Sequence, residues 1–462
     1  MAKRNKLRRS SSRKSNLGKN FLLTLMALTI TAVAVLVYIL FETEHPEVSL
    51  QTTPRVIGAK LALPLKAADH RSGLRYLRVF LKQDDKEAIL LDRMFPRQSW
   101  LKKAGPERFE EVVAADIAAL GFKDGEAELV AVGNDFSLMG FLRGNSTEKR
   151  ATVSIDTKPP RVTVEHAQLY IQGGGSGIVL YSISEDSRQH GVRIDNHSFP
   201  GFSLSEGSQT KIAYIGLPWD SKRPEKTGVF AVDEAGNEGF TPFVMHFKPA
   251  REKKDRIAIS DGFLNKKMPE LSSHITGTQD SLIKTFLYAN QQVRRQNADK
   301  IKEICANPAP DRMWQDRFLR MPGATRAGFA DQRTYTYQGQ VVDHQTHLGI
   351  DLASTARAEV RAANHGKVIF ADYLGIYGNM IVIDHGQGIF SLYSHLSSMT
   401  KHPGDMVKKD EQIGRTGSSG MAGGDHLHFS MLIHGIFVTP IEWWDQHWID
   451  ANITDILNDH RL

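Results

Sequence analysis

The stretch "GGDHLHFSML", residues 423–432, sets two histidines one residue apart inside an apolar run. Successive side chains of a β-strand point to opposite faces. Alternation therefore predicts His426, His428 and Ser430 on one face, with Leu427, Phe429 and Met431 buried on the other. Two core histidines satisfied by hydrogen bonds would give the same pattern. A metal site requires partners elsewhere in the chain.

Two further stretches supply candidates. In "THLGIDLAS", residues 346–354, a strand places His347, Gly349 and Asp351 on one face and Leu348, Ile350 and Leu352 on the other. The four-residue step from His347 to Asp351 would also fit one face of a helix. In "SLYSHLSS", residues 391–398, Tyr393 and His395 share a face, with Leu392 and Leu396 opposite. Three strands then each carry polar, metal-capable groups on one side and aliphatic groups on the other. That is the pattern of a sheet with one face in a core and the other lining a groove. Imidazole and carboxylate donors suit a three-ligand Zn²⁺ site that keeps a fourth position for water. A nearby base and an oxyanion donor would complete hydrolytic chemistry. His344, His365, His385 and His434 read as turn or surface residues.

At 462 residues the chain is too long for one core and suggests about three domains. Its net charge of +6 is misleading, because residues 1–20 hold eight Lys or Arg and no acid. The remainder carries 50 basic against 52 acidic residues, so nothing in it asks for nucleic acid. The single cysteine, Cys305, excludes an internal disulfide and a cysteine-based zinc site, and reads as structural.

Residues 21–41, "FLLTLMALTITAVAVLVYILF", carry no charge. As a helix they span roughly 32 Å, enough for a bilayer core of about 30 Å. The run is longer than a signal-peptide core, and "FETEHPE" after it is a poor cleavage site. The expectation is an uncleaved single-pass anchor with the basic tail, residues 1–20, in the cytoplasm. Everything after residue 42 would lie outside it, at the inner membrane and in the periplasm.

Residues 46–158 and 159–250 look like two β-sandwiches of similar plan. The first runs through "TPRVIGAKLALPL", "HRSGLRYLRVFLK" and "AELVAVGNDFS", the second through "KPPRVTVEHAQLYI", "GGSGIVLYSISED" and "GVFAVDEAGNEG". Short alternating strands between Gly, Asp and Asn turns argue for this class, and "VDEAGNEG" resembles a turn of bacterial immunoglobulin-like domains. "GGGSG" at 173–177 lacks the Gly-Lys-Ser/Thr ending of a phosphate loop and reads as a hairpin. Residues 251–315 read as a helical connector, with one helix of about 25 residues capped by Thr278. It is expected to dock on the next domain and is a candidate for covering its groove. From 316 to 446 strands return, and 447–462 reads as a tail.

The motifs "HLGID", "YSHLS" and "DHLHF", with "GKVIFAD", "YGNMIVIDHGQG" and "GDMVKKDEQIGRTGSSG" around them, resemble the lysostaphin/LytM-type zinc endopeptidases. The resemblance covers roughly residues 320–440. It implies peptide-bond hydrolysis in peptidoglycan, with Zn²⁺ held by His347, Asp351 and His428. It implies that His395 and His426 flank the attacking water and, more loosely, that Tyr377 helps stabilise the oxyanion. Some members of this fold lack ligands and activate cell-wall amidases, so cell-wall enzymes are candidate partners; here every ligand position is filled. A further reading makes residues 46–250 a partner-binding ectodomain. Met421-Ala422-Gly423-Gly424-Asp425, Asp410 and Phe329-Ala330-Asp331-Gln332-Arg333 depart from the family pattern and put the groove walls in question.

Overall fold

The computed structural model describes residues 17–50, 55–100, 103–205, 207–274 and 280–460. Residues 1–16 of the basic tail and Thr278 lie outside the described residues. The fold is mainly β, with one long apolar helix near the N-terminal end. It divides into two compact units, Met1–Lys158 with Glu234–Asn237, and Pro159–Asp233 with Glu238–Leu462.

In the first unit the helix Leu17–Leu40 contains an 18-residue window of mean hydropathy 2.5 and is long and apolar enough to cross a membrane. The chain after it builds two antiparallel layers. One holds Glu47–Leu50, Lys60–Ala68 and Arg108–Asp116. The other holds Ser146–Ile155, Gly125–Asp135, Leu74–Gln83 and Lys86–Met94, with Val56–Ile57 pairing parallel at its edge. Strict alternation sends Leu61, Leu63 and Leu65 from one layer against Leu77, Val79 and Leu81 from the other. Arg71 ties the end of the helix to this layer pair: its guanidinium lies 3.3 Å from the Glu42 carboxylate and 4.7 Å from the Tyr38 ring centre.

The second unit opens with a pair of four-stranded sheets, whose longest strands are Ser176–Ile183 and Thr227–Val232 with their neighbours. "GGGSG" is a turn that leads into Ser176–Ile183, and no helix follows it. Next comes the sheet that carries the histidines. Its strands run in the order Ala324–Ala327, Ile350–Ala353, Leu427–Ile433, Ile389–Leu396, Gly378–Asp384, Gly366–Leu374 and Met406–Val407, all antiparallel.

This sheet is buried on both faces. Leu427, Phe429, Met431, Ile350 and Tyr393 face a core continuous with Ile178, Tyr214 and Trp314. The opposite face, expected to line an open groove, carries Met380, Val382, Phe390, Leu392 and Leu432 beyond the histidines, and these are packed under Leu264, Met268, Phe286, Val293 and Ile301. The 251–315 segment supplies that cover. It is helical as expected but begins with a strand, Lys253–Ile259, parallel to Asp331–Tyr337. The helix Asp261–Ser272 follows, then Leu282–Tyr288, a π turn Ala289–Val293 and Arg294–Ile304 in one run. Ser281 caps that run, its hydroxyl accepting from Lys284 N. Cys305 ends it, fully buried, and burial pushes its thiol up. A fragment beginning at 316 would lose a strand and one side of this core.

The C-terminal residues read as a tail are helical, and Ile449, Ile453 and Leu457 are buried in the first of these cores. They follow Pro440–Trp444, in whose first turn the Glu442 carboxylate accepts from Ser176 N at 2.8 Å. Burial pushes this carboxyl up to about 7. Between the ordinary carboxyl range and pH 7 the folded chain keeps a proton that the unfolded chain releases, so stability falls as pH rises through that window. Glu442→Gln removes the titration. Its thermal midpoint should gain on the parent's between pH 5 and pH 8, by the equivalent of about 1–3 kcal/mol. A gap that stays constant with pH would show that the carboxyl titrates normally.

Candidate active site

Register places the first two groups. Asp351 on Ile350–Ala353 pairs directly with His428 on Leu427–Ile433, so the two side chains leave the sheet side by side. His347 arrives differently from the strand expected of it. It stands ahead of Ile350–Ala353 in the link from Gln340–Thr346, where its backbone N donates to Asp331 O at 3.0 Å. The three then converge. His347 Nε2 lies 3.0 Å from Asp351 Oδ1 and 2.9 Å from His428 Nδ1, and His428 Nδ1 lies 3.0 Å from the same Oδ1. All three residues are buried.

Their outer partners fix which atoms carry protons. His347 Nδ1 faces the carbonyl of Gly328 at 2.8 Å; a carbonyl only accepts, so Nδ1 is the N–H and Nε2 offers a lone pair. The Ser430 hydroxyl donates to Leu348 O at 2.8 Å, which leaves its oxygen to accept from His428 Nε2 at 3.1 Å. His428 Nδ1 is then the unprotonated nitrogen. Two lone pairs and a carboxylate oxygen thus meet with no hydrogen between them. Burial pushes the His428 imidazole down to about 4, which disfavours a proton as the bridging charge at neutral pH. This donor set fits a divalent metal of borderline softness. Burial alone would raise the Asp351 carboxyl; a proton carried on the inward side of His347, His426 or His428 would instead hold it well below the carboxylate range. Its second oxygen accepts from Arg333 at 3.0 Å. Arg333 and Ser430 are thus outer partners of the cluster, roles the sequence reading did not assign.

His395 departs from simple alternation. In a regular strand it would follow Tyr393 into the core. Tyr393 does go there, packing on Phe429 with ring centres 5.3 Å apart and accepting from Ala363 N. His395 instead has φ of +61°, and the left-handed turn carries its ring to within 4.9 Å of His426 and 5.8 Å of His428, centre to centre. Such a conformation costs a non-glycine residue roughly 1–3 kcal/mol and recurs at functional sites. The same irregularity puts Leu396 on the side of Tyr393, while Leu392 lies in the opposite core. His395 Nδ1 donates to Ser419 O at 2.9 Å. His426 lies just ahead of its strand, donates from Nδ1 to Gly424 O at 2.8 Å, and holds Nε2 3.5 Å from Asp351 Oδ1. Tyr377 is buried in a short 3₁₀ turn with its ring edge-on to His428, 5.7 Å between centres.

These six side chains line one cleft of about 370 Å³. Of the departures from the family pattern, Met421, Ala422, Gly423 and Arg333 line the cleft itself. Asp410 sits at φ +69°, a backbone position that favours glycine. Asp425 accepts from Thr416 Oγ1 at 2.6 Å and Arg357 N at 3.0 Å, pinning the loop ahead of His426. His344, His365, His385 and His434 stay outside the cluster. His385 is no surface residue, however: it is fully buried, bonded to His365 O and Ser391 Oγ at 2.7 Å each.

The model of peptidase family M23 matches residues 345–440, which contain every group of the cluster. This part of the chain is a peptidase M23 domain. A relative from Neisseria meningitidis named DD-carboxypeptidase/endopeptidase Mpg is 40% identical over 95 residues, 21% of this chain and 22% of its own length. The murein hydrolase activator EnvC of Escherichia coli is 36% identical over 24% of this chain and 26% of its own. The peptidoglycan DD-endopeptidase ShyC of Vibrio cholerae is 30% identical over 28% of this chain and 30% of its own. The chain therefore spans less than a third of each of these relatives. Among solved structures, the catalytic domain of lysostaphin from Staphylococcus simulans aligns at 25% identity with a TM-score of 0.24, covering 26% of this chain and 92% of that one.

Within the M23 domain, Gly349 is required for space. A Cβ there would lie 2.6 Å from His428 Cε1, His428 Nε2 and Ser430 Oγ. Gly349→Ala should cost about 1–3 kcal/mol in urea unfolding. Gly424→Ala, where a Cβ meets nothing within 4 Å, should cost little. Equal effects would mean that His428 has room to move.

Proposed function

We propose that this chain is a zinc-dependent endopeptidase that hydrolyses peptide bonds in peptidoglycan stem peptides or cross-links. The observation that carries the reading is the convergence of His347 Nε2, Asp351 Oδ1 and His428 Nδ1 within 3.0 Å, with the N–H of each histidine turned outward. These three would hold Zn²⁺. When bound, the ion supplies Lewis-acid polarisation of a carbonyl and lowers the pKa of water to about 7.

The rest is the work of the chain's own groups. His395 and His426 each anchor Nδ1–H on a backbone carbonyl, so Nε2 of each is free to take or give a proton at the cleft. Tyr377 flanks His428 and offers its phenol to the developing oxyanion. Arg333 holds the far oxygen of Asp351 and keeps the near one turned to the other donors. The Lys253–Ile259 strand and the helices after it form one wall of the cleft, and we take them as the elements that limit access to it. The apolar helix is proposed as a single-pass anchor in the inner membrane, with the cleft in the periplasm. The EnvC relative favours a second reading, a weakly catalytic activator of cell-wall amidases. The complete donor set argues for the enzyme.

Ligands and proton-transfer groups have different signatures. His347→Ala, Asp351→Ala and His428→Ala should purify with little zinc and negligible release of peptide fragments from purified peptidoglycan. His395→Ala and His426→Ala should keep zinc near one per chain while activity falls by about 10²–10⁴. Loss of zinc from His426→Ala as complete as from His428→Ala would make both histidines ligands. Full wall-lytic activity in all five variants would overturn the enzyme reading in favour of the activator. For topology, a reporter fused after Leu462 should be active only in the periplasm; a processed soluble form cut near residue 42 would remove the anchor.

A further inference from the structure

The cleft is lined mostly by apolar side chains, among them Ile257, Ile259, Phe263 and Phe286, yet two guanidinium groups enter it. The charge of Arg333 is spent on Asp351, 3.0 Å away. Arg294 is different. Among the described residues no carboxylate lies within 4.0 Å of it. Its Nε donates to Asn290 O at 3.1 Å and one terminal nitrogen donates to Asn290 Oδ1 at 2.6 Å. Of its five N–H donors, three remain.

Arg294 is also held in place. Asn290 is fully buried and donates through its own amide to Asp343 Oδ2 at 2.7 Å, so Asp343 orients Asn290 and Asn290 orients Arg294. Asn290 lies within the π turn Ala289–Val293, immediately before Arg294. π turns are rare and concentrate at functional sites, where the extra residue re-aims the helix face that follows. Arg294 lies close enough to Tyr377 for its charge to favour the ionised phenol, although burial pushes that phenol up overall. A cation held rigid beside an apolar wall, short of a counter-charge, is a receptor for an anion, and a guanidinium fork matches a carboxylate with two parallel hydrogen bonds.

We propose that Arg294 is the specificity-determining residue of this cleft, binding a free carboxylate on the peptide beside the bond to be cut. The inference rests on the peptidase reading for the identity of the ligand, and it assigns a substrate-binding role to the segment that precedes the M23 domain. Arg294 positions substrate and takes no part in proton transfer.

The test uses the full chain in detergent and peptide dimers released from purified peptidoglycan, either native or with their free carboxyls converted to primary amides. Affinity is measured in the His395→Ala background, where turnover is slowed by about 10²–10⁴, and kcat and KM are measured in the parent. Native dimers should bind at least tenfold tighter than amidated ones. Arg294→Gln should bring that ratio close to one by raising KM for native dimers with little change in kcat, zinc content or thermal midpoint. Arg294→Lys, which keeps the charge without the fork, should retain part of the preference. Equal binding of native and amidated dimers to the parent, or a tenfold ratio that survives in Arg294→Gln, would overturn the proposal, as would failure of both dimers to bind. Preference for native dimers without hydrolysis in the parent would overturn the peptidase reading alone.

Discussion

The second unit depends on one constraint: three unprotonated donor atoms must meet in a space with no room for water between them. Antiparallel register between Ile350–Ala353 and Leu427–Ile433 brings Asp351 and His428 abreast. A shift of one residue would turn His428 into the core and Phe429 out of it. The apolar face therefore enforces the polar one. Ile350, Leu352, Leu427, Phe429 and Met431 gain burial in the same register that aligns the donors. Hydrophobic burial, at about 25 cal/mol per Å² of apolar surface, offsets the repulsion and desolvation stored at the cluster.

A site of this kind also needs a dry second face. A sheet with helices or sheets on both sides excludes solvent from its hydrogen bonds and lowers the local dielectric. Here the pair of four-stranded sheets covers one face and the 251–304 segment covers the other. Because the Lys253–Ile259 strand joins the sheet of Asp331–Tyr337, the cover is covalently and laterally continuous with Arg333, which reaches Asp351. Cover and donor cluster thus share a hydrogen-bonded framework, and this segment is part of the domain's core as much as a connector.

Much of this was legible in the sequence, and the remainder was hidden for identifiable reasons. Period-two alternation in "HLHF" gave the face of His428 and the core face of Leu427 and Phe429, because every second position is apolar and the polar residues share the other side. The apolar helix and the mainly β character followed from composition and turn spacing in the same way. The link that carries His347 is hidden because an i, i+4 step through glycine carries no signal separating a strand from a link. The turn at His395 was invisible, since nothing in "YSHLS" marks a left-handed residue that is not Gly, Asn or Asp. Lys253–Ile259 was missed because "KKDRIAI" is polar for most of its length; a strand whose exposed residues outnumber its buried one lacks the alternation that declares a sheet. The helices after residue 446 do carry a signal, since Ile449, Ile453 and Leu457 stand at the i, i+4, i+8 spacing of a buried helical stripe.

The left-handed residue shows how the fold reconciles two demands on one strand. Ile389–Leu396 must give Tyr393 to the core, where its hydroxyl accepts from Ala363 N and from Ser391 Oγ. Two residues later it must give a histidine to the opposite face. Regular pleating cannot do both, because residues two apart share a side. A single residue at positive φ breaks the period at a cost of about 1–3 kcal/mol and re-aims the imidazole, while the Ser419 carbonyl fixes the new orientation. A glycine would relieve that strain, and it would also remove the imidazole. The strain persists because the flanking strand is fully buried and over-determined by its partners on both sides. The chain thus spends core stability to hold one ring beside His426 and His428.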